Sequence, residues 1–146
     1  LYINQKDGTF KESLEKMISH TSRYSMGNDI GDLNGDALPE IITVDMLPYA
    51  PEVILKSAWE DSQEVSDIKK EYGYAEQNVR NTLQLNRGDY FTDIASLIGM
   101  EATDWSWAPL ICDLNNDSYP DVFITNGIYK RPNDLDYIQY TSDISK

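Results

Sequence analysis

Asp32-Leu-Asn-Gly-Asp-Ala-Leu-Pro-Glu40 and Asp113-Leu-Asn-Asn-Asp-Ser-Tyr-Pro-Asp121 are two acidic nonapeptides of nearly one pattern, and their reading decides the fold. Each places side-chain oxygens at loop positions 1, 3, 5 and 9. A hard cation such as Ca²⁺ takes about six to eight oxygens, and alternating carboxylates on a tightly curled backbone supply them, with a backbone carbonyl from position 7. Position 4 is Gly35 or Asn116, residue types that enter the left-handed region readily. Position 8 is Pro39 or Pro120, and proline pushes the preceding residue toward extended geometry, so Leu38 and Tyr119 are expected to leave the loop as strand. The runs that follow, Glu40-Ile-Ile-Thr-Val-Asp45 and Asp121-Val-Phe-Ile-Thr125, are apolar and β-prone.

Clusters of Asp, Asn, Gly and Pro also make plain turns. Two loops with the same ligand spacing and the same proline favour metal binding over turn chemistry alone. An EF-hand shares positions 1, 3, 5 and 9 but needs Gly at position 6, a bidentate Glu at position 12 and a following helix. Here position 6 is Ala37 or Ser118, position 12 is Thr43 or Ile124, and the flank reads as strand.

The likeness extends past the loops. Ser25–Met46 aligns without gaps on Ser106–Gly127 at an offset of 81 residues, and Leu1-Tyr-Ile-Asn4 with Phe10 corresponds to Leu83-Gln-Leu-Asn86 with Phe91. Each unit reads as strand, turn, aromatic, connector, strand, acidic loop, strand. A fixed internal period indicates a repeat architecture, and several short strands per unit indicate propeller blades. The expected fold is therefore all-β, built of β-propeller blades. Residues 1–46 form a first repeat with its loop at 32–40, and residues 81–127 a second with its loop at 113–121. Residues 128–146 connect onward. Between the repeats, 47–80 opens with Pro48 and Pro51. It continues with the helix-like stretches Val53–Asp61 and Val65–Tyr72, an expected insertion of one or two short helices carried on one face. A short tail helix is expected over Asn133–Ile144 with Asn133 as its N-cap. Closure of a propeller takes about four to eight blades, so two units read as a fragment of a larger one whose neighbours cover the open strand edges.

Net charge is −13, from 25 acidic and 12 basic residues. Six of the acidic groups lie in the two loops, and two bound Ca²⁺ would bring the total to −9. A strongly acidic surface repels phosphate backbones and anionic membranes, which argues against nucleic-acid binding and against membrane-surface docking. No run approaches the ~20 apolar residues of a membrane span. The single cysteine, Cys112, permits no internal disulfide and reads as a small buried hydrophobe. Dependence on Ca²⁺ points outside the cell, where loops of modest affinity stay filled.

The paired loops resemble those of FG-GAP/VCBS repeats, the blade units of integrin-α-type β-propellers. Val44-Asp-Met-Leu-Pro48, Arg80-Asn-Thr-Leu-Gln-Leu-Asn86, Asp104-Trp-Ser-Trp-Ala-Pro109 and Phe123-Ile-Thr-Asn-Gly127 resemble the FG-GAP/VCBS proteins of Bacteroidetes, many of which carry an ASPIC/UnbV-type region and are similar to cartilage acidic protein. The resemblance covers almost the whole chain and is weakest over 50–73. It implies a secreted or surface-anchored propeller of about seven blades, often associated with glycan uptake. Its implied Ca²⁺ ligands are Asp32, Asn34, Asp36, Leu38 (carbonyl) and Glu40, then Asp113, Asn115, Asp117, Tyr119 (carbonyl) and Asp121. The family has Gly at loop position 6 and Asp at position 9. Ala37, Ser118 and Glu40 depart from that pattern, which bears on affinity more than on binding itself.

Trp105 and Trp107 are two apart in an expected strand, so their rings would share a face, as a stacking platform for a sugar or as packing between blades; packing is the favoured reading. Tyr72, Tyr74, Tyr129, Tyr137 and Tyr140 fall in irregular segments, where they would line a binding surface or pack at a rim. His20, the sole histidine, sits in a polar connector and reads as solvated. No Ser/His/Asp or Cys/His site can be assembled without it, and no separate acid/base carboxylate pair stands out from the loops. The expected function is a non-enzymatic, Ca²⁺-binding propeller segment of a bacterial cell-surface or secreted protein that binds a protein or glycan. The alternatives are a structural accessory subunit of an outer-membrane nutrient or glycan-uptake complex and a non-catalytic part of a polysaccharide-degrading enzyme.

Overall fold

The computed structural model describes residues 1–57 and 61–144. In chain order its strands are β1 (Tyr2–Asn4), β2 (Phe10–Glu12), β3 (His20–Ser22), β4 (Gly27–Gly31), β5 (Glu40–Val44), β6 (Glu76–Asn78), β7 (Thr82–Asn86), β8 (Phe91–Asp93), β9 (Ser106–Cys112) and β10 (Asp121–Asn126). Its helices are α1 (Leu14–Met17), α2 (Pro51–Ile54), α3 (Gln63–Glu71) and α4 (Leu135–Ile144). The fold is all-β, in several small sheets with few helices.

Each acidic loop joins an antiparallel pair. β4 and β5 run in register from Gly31↔Glu40 to Gly27↔Val44, and β9 and β10 from Cys112↔Asp121 to Ala108↔Thr125. Adding 81 to the first set of partners gives the second. The strands begin at Glu40 and Asp121, two residues later than the proline rule implies, so Leu38 and Tyr119 belong to the loops.

The two hairpins then differ in what lies beside them. β5 pairs with β7 and β7 with β8, giving a four-stranded antiparallel meander of order β4-β5-β7-β8. β9–β10 stands as a two-stranded sheet, as does β1–β2. β3 pairs in parallel with β6, so the end of the 47–80 segment returns to the connector that precedes β4.

Alternation along the meander puts Ile42 and Leu83 on one face. They are buried with Ala95, and Ile111, Val122 and Ile124 of the second hairpin pack against them. Close approach is secured by glycine. A Cβ on Gly27 would lie 2.5 Å from the Trp107 carbonyl oxygen, and one on Gly31 would lie 2.9 Å from the Ile111 side chain. The opposite face of the meander borders a groove of about 280 Å³ shared with Leu1, Leu14 and Ile18.

Polar joints repeat at the same offset. Asp45, fully buried, accepts from the Ser22 hydroxyl (2.6 Å) and the Tyr24 amide (3.0 Å), while the Asn126 side chain donates to the Thr103 carbonyl (2.7 Å). Ser25 and Ser106 donate back to the carbonyls of Ser22 and Thr103 respectively.

The 47–80 segment holds the two short helices expected there, though α2 ends at Ile54, and residues 58–60 of the expected first helix lie outside the described residues. α3 begins at Gln63 with Ser62 as its N-cap, its hydroxyl accepting from the Val65 amide. In the tail the cap falls one residue past Asn133: the Asp134 carboxylate accepts from the Tyr137 amide at 3.1 Å, and α4 opens at Leu135. Asp134 also bridges to Ser57, and the Leu135 amide donates to the Lys56 carbonyl (2.8 Å), which ties the tail to the insertion.

Candidate metal-binding loops

The two loops share one hydrogen-bond scaffold. The position-1 carboxylate accepts the amides of positions 5 and 6: Asp32 from Asp36 (3.2 Å) and Ala37 (2.9 Å), Asp113 from Asp117 (3.1 Å) and Ser118 (2.8 Å). The position-3 side chain accepts the position-5 amide, Asn34 from Asp36 and Asn115 from Asp117, both at 2.9 Å. Its Nδ2 donates to the position-5 carboxylate at 3.0 Å in both loops. That carboxylate accepts the position-7 amide, from Leu38 or Tyr119, at 2.8 Å. The position-9 carboxylate closes the ring on the position-2 amide, Glu40 from Leu33 (2.7 Å) and Asp121 from Leu114 (3.1 Å).

The backbone curl has a definite cost. Position 4 is left-handed in both loops, with Gly35 at φ +76 and Asn116 at φ +60, as the residue types imply. Position 6 is left-handed as well, with Ala37 at φ +64 and Ser118 at φ +73. A residue with a Cβ in that region is disfavoured by roughly 1–2 kcal/mol. The curl aims three successive amides at Asp32, and their hydrogen bonds, that of Ala37 foremost, hold its carboxyl below the usual carboxylate range. Among the described residues, no three His, Cys, Asp or Glu side chains converge closely enough to hold a metal ion. The donor set itself is all oxygen, the chemistry a hard cation selects.

Glu40 differs from Asp121 in reach. Its longer side chain is 1% exposed, and Oε1 accepts the Asn86 amide (3.4 Å) while Oε2 holds Leu33. The Asn86 side chain also donates to the Pro39 carbonyl at 3.1 Å. The first loop is thereby sewn to β7.

Trp105 and Trp107 do not form the shared face expected of them. Trp105 lies in a bend before β9 and is half-buried. Trp107 sits in a β-bulge, where Asn126 opposes Ser106 and Thr125 opposes Ala108, so Trp107 has no cross-strand partner. A bulge breaks the period-2 alternation. The indole of Trp107 is 47% exposed and donates to the Gly127 carbonyl at 2.8 Å. Tyr72, Tyr74 and Tyr129 are exposed in irregular segments as expected, and Tyr137 and Tyr140 are exposed but lie on α4.

His20 is not solvated. Its Nε2 lies 2.8 Å from Asp93 Oδ2 and 3.0 Å from Arg80 Nη2, and its Nδ1 lies 3.1 Å from the Ser19 hydroxyl. Asp93, almost wholly buried, also accepts the amides of Leu83 and Ala95 at 3.0 Å and pairs with Arg80 at 3.2 Å. Its two oxygens thus take two backbone donors, an imidazole and a guanidinium, an arrangement that joins β3, β8 and the end of the insertion. Local sequence carried no sign of it, because Asp93 lies 73 residues from His20.

A cavity of about 830 Å³ lies between the insertion and the β3–β6 pair, bordered by Arg23, Asp61, Gln63, Gln77, Asn78 and Arg80 among others. Lys69, at 2.8 Å, and Arg23 hold the Asp61 carboxyl below the usual carboxylate range. Among the described residues no helix is long and apolar enough to cross a membrane. Scanned against protein-family models, curated proteins and solved structures, the chain matches none of them.

Proposed function

We propose that the chain is a non-enzymatic, Ca²⁺-binding segment of a β-propeller of FG-GAP/VCBS type, acting as a binding module for a protein or glycan on or outside a bacterial cell surface. The observation that carries the reading is the single hydrogen-bond scaffold built twice, 81 residues apart, on loops rich in carboxylate and amide oxygens. Asp32, Asn34, Asp36, the Leu38 carbonyl and Glu40 hold one ion, and Asp113, Asn115, Asp117, the Tyr119 carbonyl and Asp121 hold the other. The ion offsets two of the three carboxylate charges in each loop and so fixes the hairpin it joins. The role is structural. Ligand contact falls to the insertion, where Gln63, Gln77 and Asn78 offer amide donors and acceptors to a polar cavity of a size that suits one or two sugar rings.

Calorimetric titration of metal-stripped protein tests this. Two Ca²⁺ sites are expected, and Asp113→Ala removes one of them; an unchanged stoichiometry sinks the assignment. Because the ion binds only the folded form, 1 mM Ca²⁺ over a site of ~10 μM affinity adds about 2.7 kcal/mol of stability.

A further inference from the structure

The β1–β2 and β7–β8 hairpins turn in the same way and use their charges differently. In each, the asparagine that ends the first strand accepts an amide two residues on, Asn4 Oδ1 from Lys6 (2.8 Å) and Asn86 Oδ1 from Gly88 (2.9 Å). That later residue is left-handed in both, Lys6 at φ +64 and Gly88 at φ +86. The first turn runs from Asn4 to Phe10, and its Gln5 amide donates to the Thr9 carbonyl (3.0 Å). The second runs from Asn86 to Phe91, one residue shorter, and its Arg87 amide donates to the Tyr90 carbonyl (2.9 Å). The longer turn uses its acid. Asp7 Oδ1 accepts the Thr9 hydroxyl (2.6 Å) and the Thr9 amide (2.9 Å), and these bonds, that of the hydroxyl foremost, hold its carboxyl below the usual carboxylate range. The shorter turn closes without its acid. Asp89 is exposed, and its carboxylate has no hydrogen bond or ion pair among the described residues.

The neighbouring cation is equally unengaged. Of the chain's four arginines, Arg23, Arg80 and Arg131 are ion-paired with Asp61, Asp93 and Asp104. Arg87 is exposed and, among the described residues, makes no ion pair. The tip therefore presents Arg87-Gly88-Asp89 with both charges uncommitted. Its base is fixed, because the Asn86 side chain donates to the Pro39 carbonyl (3.1 Å) and β7 is paired on both sides. The tip joins two strands that are already paired with each other, so it is a turn and not an open edge. A Cβ on Gly88 would meet nothing within 4 Å. What the glycine supplies is the left-handed turn and a bare stretch of backbone that another molecule can approach closely.

We propose that the Arg87-Gly88-Asp89 tip is a second binding site, which docks into a receptor protein where a carboxylate-lined cleft lies beside a divalent cation with an open coordination position. The guanidinium is a planar fork that pairs with carboxylates through two parallel hydrogen bonds. The Asp89 carboxylate supplies the oxygen that a hard cation lacks. Residues two apart have Cα atoms no more than about 7 Å from each other, so one narrow site spans both charges. A turn whose shape is set before contact loses less freedom on binding than the same tripeptide in a free chain. The site is separate from the insertion cavity and from the acidic loops, and it depends on neither.

An integrin that binds fibronectin has a site of this chemistry and serves as the probe. The 146-residue chain is to be passed over its immobilised ectodomain in buffer containing Mg²⁺ and Ca²⁺, with binding read by surface plasmon resonance. Saturable binding is expected. Asp89→Glu keeps the charge but moves the carboxylate outward by a methylene, and it is expected to weaken binding by more than about tenfold, as is Arg87→Gln. Both side chains are exposed and without partners, so the far-ultraviolet spectrum and the urea midpoint are expected to stay unchanged. A soluble Gly-Arg-Gly-Asp-Ser peptide is expected to compete, and Gly-Arg-Gly-Glu-Ser to have no effect. A wild-type chain that does not bind the ectodomain overturns the proposal. Binding that survives both Asp89→Glu and the competing peptide overturns it too, since the contact then lies elsewhere on the chain. Binding lost in Arg87→Gln but kept in Asp89→Glu means charge attraction without metal coordination, and that result also overturns it. The chain's own Ca²⁺ stoichiometry is a separate measurement, so this site and the metal assignment can fail independently.

Discussion

The β4–β5 and β9–β10 hairpins carry one register, one loop scaffold and one polar joint at their base, yet only the first has a buried core strand. Glu40, Ile42 and Val44 are almost inaccessible, while Asp121, Phe123 and Thr125 are half-buried or exposed. The difference shows which properties are local. Register and loop geometry follow from the nine residues between the strands and the hydrogen bonds they make among themselves. Burial is conferred by β7 and β8, which come from a distant part of the sequence.

Core truncation should separate the hairpins most. Ile42→Ala is expected to cost about 2–5 kcal/mol, the range for removing a buried branched side chain, and Phe123→Ala less than about 1 kcal/mol in dilute monomer. Urea unfolding reads both, and equal costs would mean that β10 is covered in solution as fully as β5. Next in size is the close approach of β4 to β9. Gly27→Ala forces a Cβ against the Trp107 carbonyl and is expected to cost about 1–3 kcal/mol, whereas Ala108→Gly, at the corresponding position of the second hairpin, costs about 0.5–1 kcal/mol. The smallest effect should be the same in both hairpins. Ala37→Gly and Ser118→Gly relieve the left-handed strain at position 6, partly offset by the greater freedom of glycine in the unfolded chain, for a net gain of up to about 1 kcal/mol each. A gain in one loop and a loss in the other would break the equivalence of the two scaffolds.

Most of what was legible in the sequence is short-range. Glycine or asparagine at position 4, proline at position 8 and the β-prone runs beyond them anticipated both loops and all four of their strands. The departures have separate causes. The expected left-handed position 4 has a partner in position 6, which Ala37 and Ser118 concealed because neither is a residue type that advertises positive φ. The alternation that would align Trp105 with Trp107 is broken by a bulge, and a bulge has no reliable signature in a run such as Trp-Ser-Trp-Ala-Pro. Asn133 and Asp134 are both good caps, and the choice fell to the residue that bridges to Ser57. His20 is polar, flanked by serine and threonine, and reads as solvated until Asp93 and Arg80 are brought to it by pairing over long stretches of chain.

The Asp45 amide donates to the Asn81 side chain at 2.7 Å, across 36 residues of sequence, and that side chain donates in turn to the Met100 carbonyl and the Thr103 hydroxyl. The insertion is therefore pinched shut at its base by a bond that belongs to the sheet. Closing a longer flexible loop at a fixed neck costs little, about 0.6 kcal/mol for each doubling of length. The stretch between the neck and β6 can accordingly be lengthened at small expense to the strands outside it. The same neck is a natural port for grafting a reporter or a foreign epitope, since the bond between Asp45 and Asn81 holds the two ends of the segment together whatever length of chain lies between them.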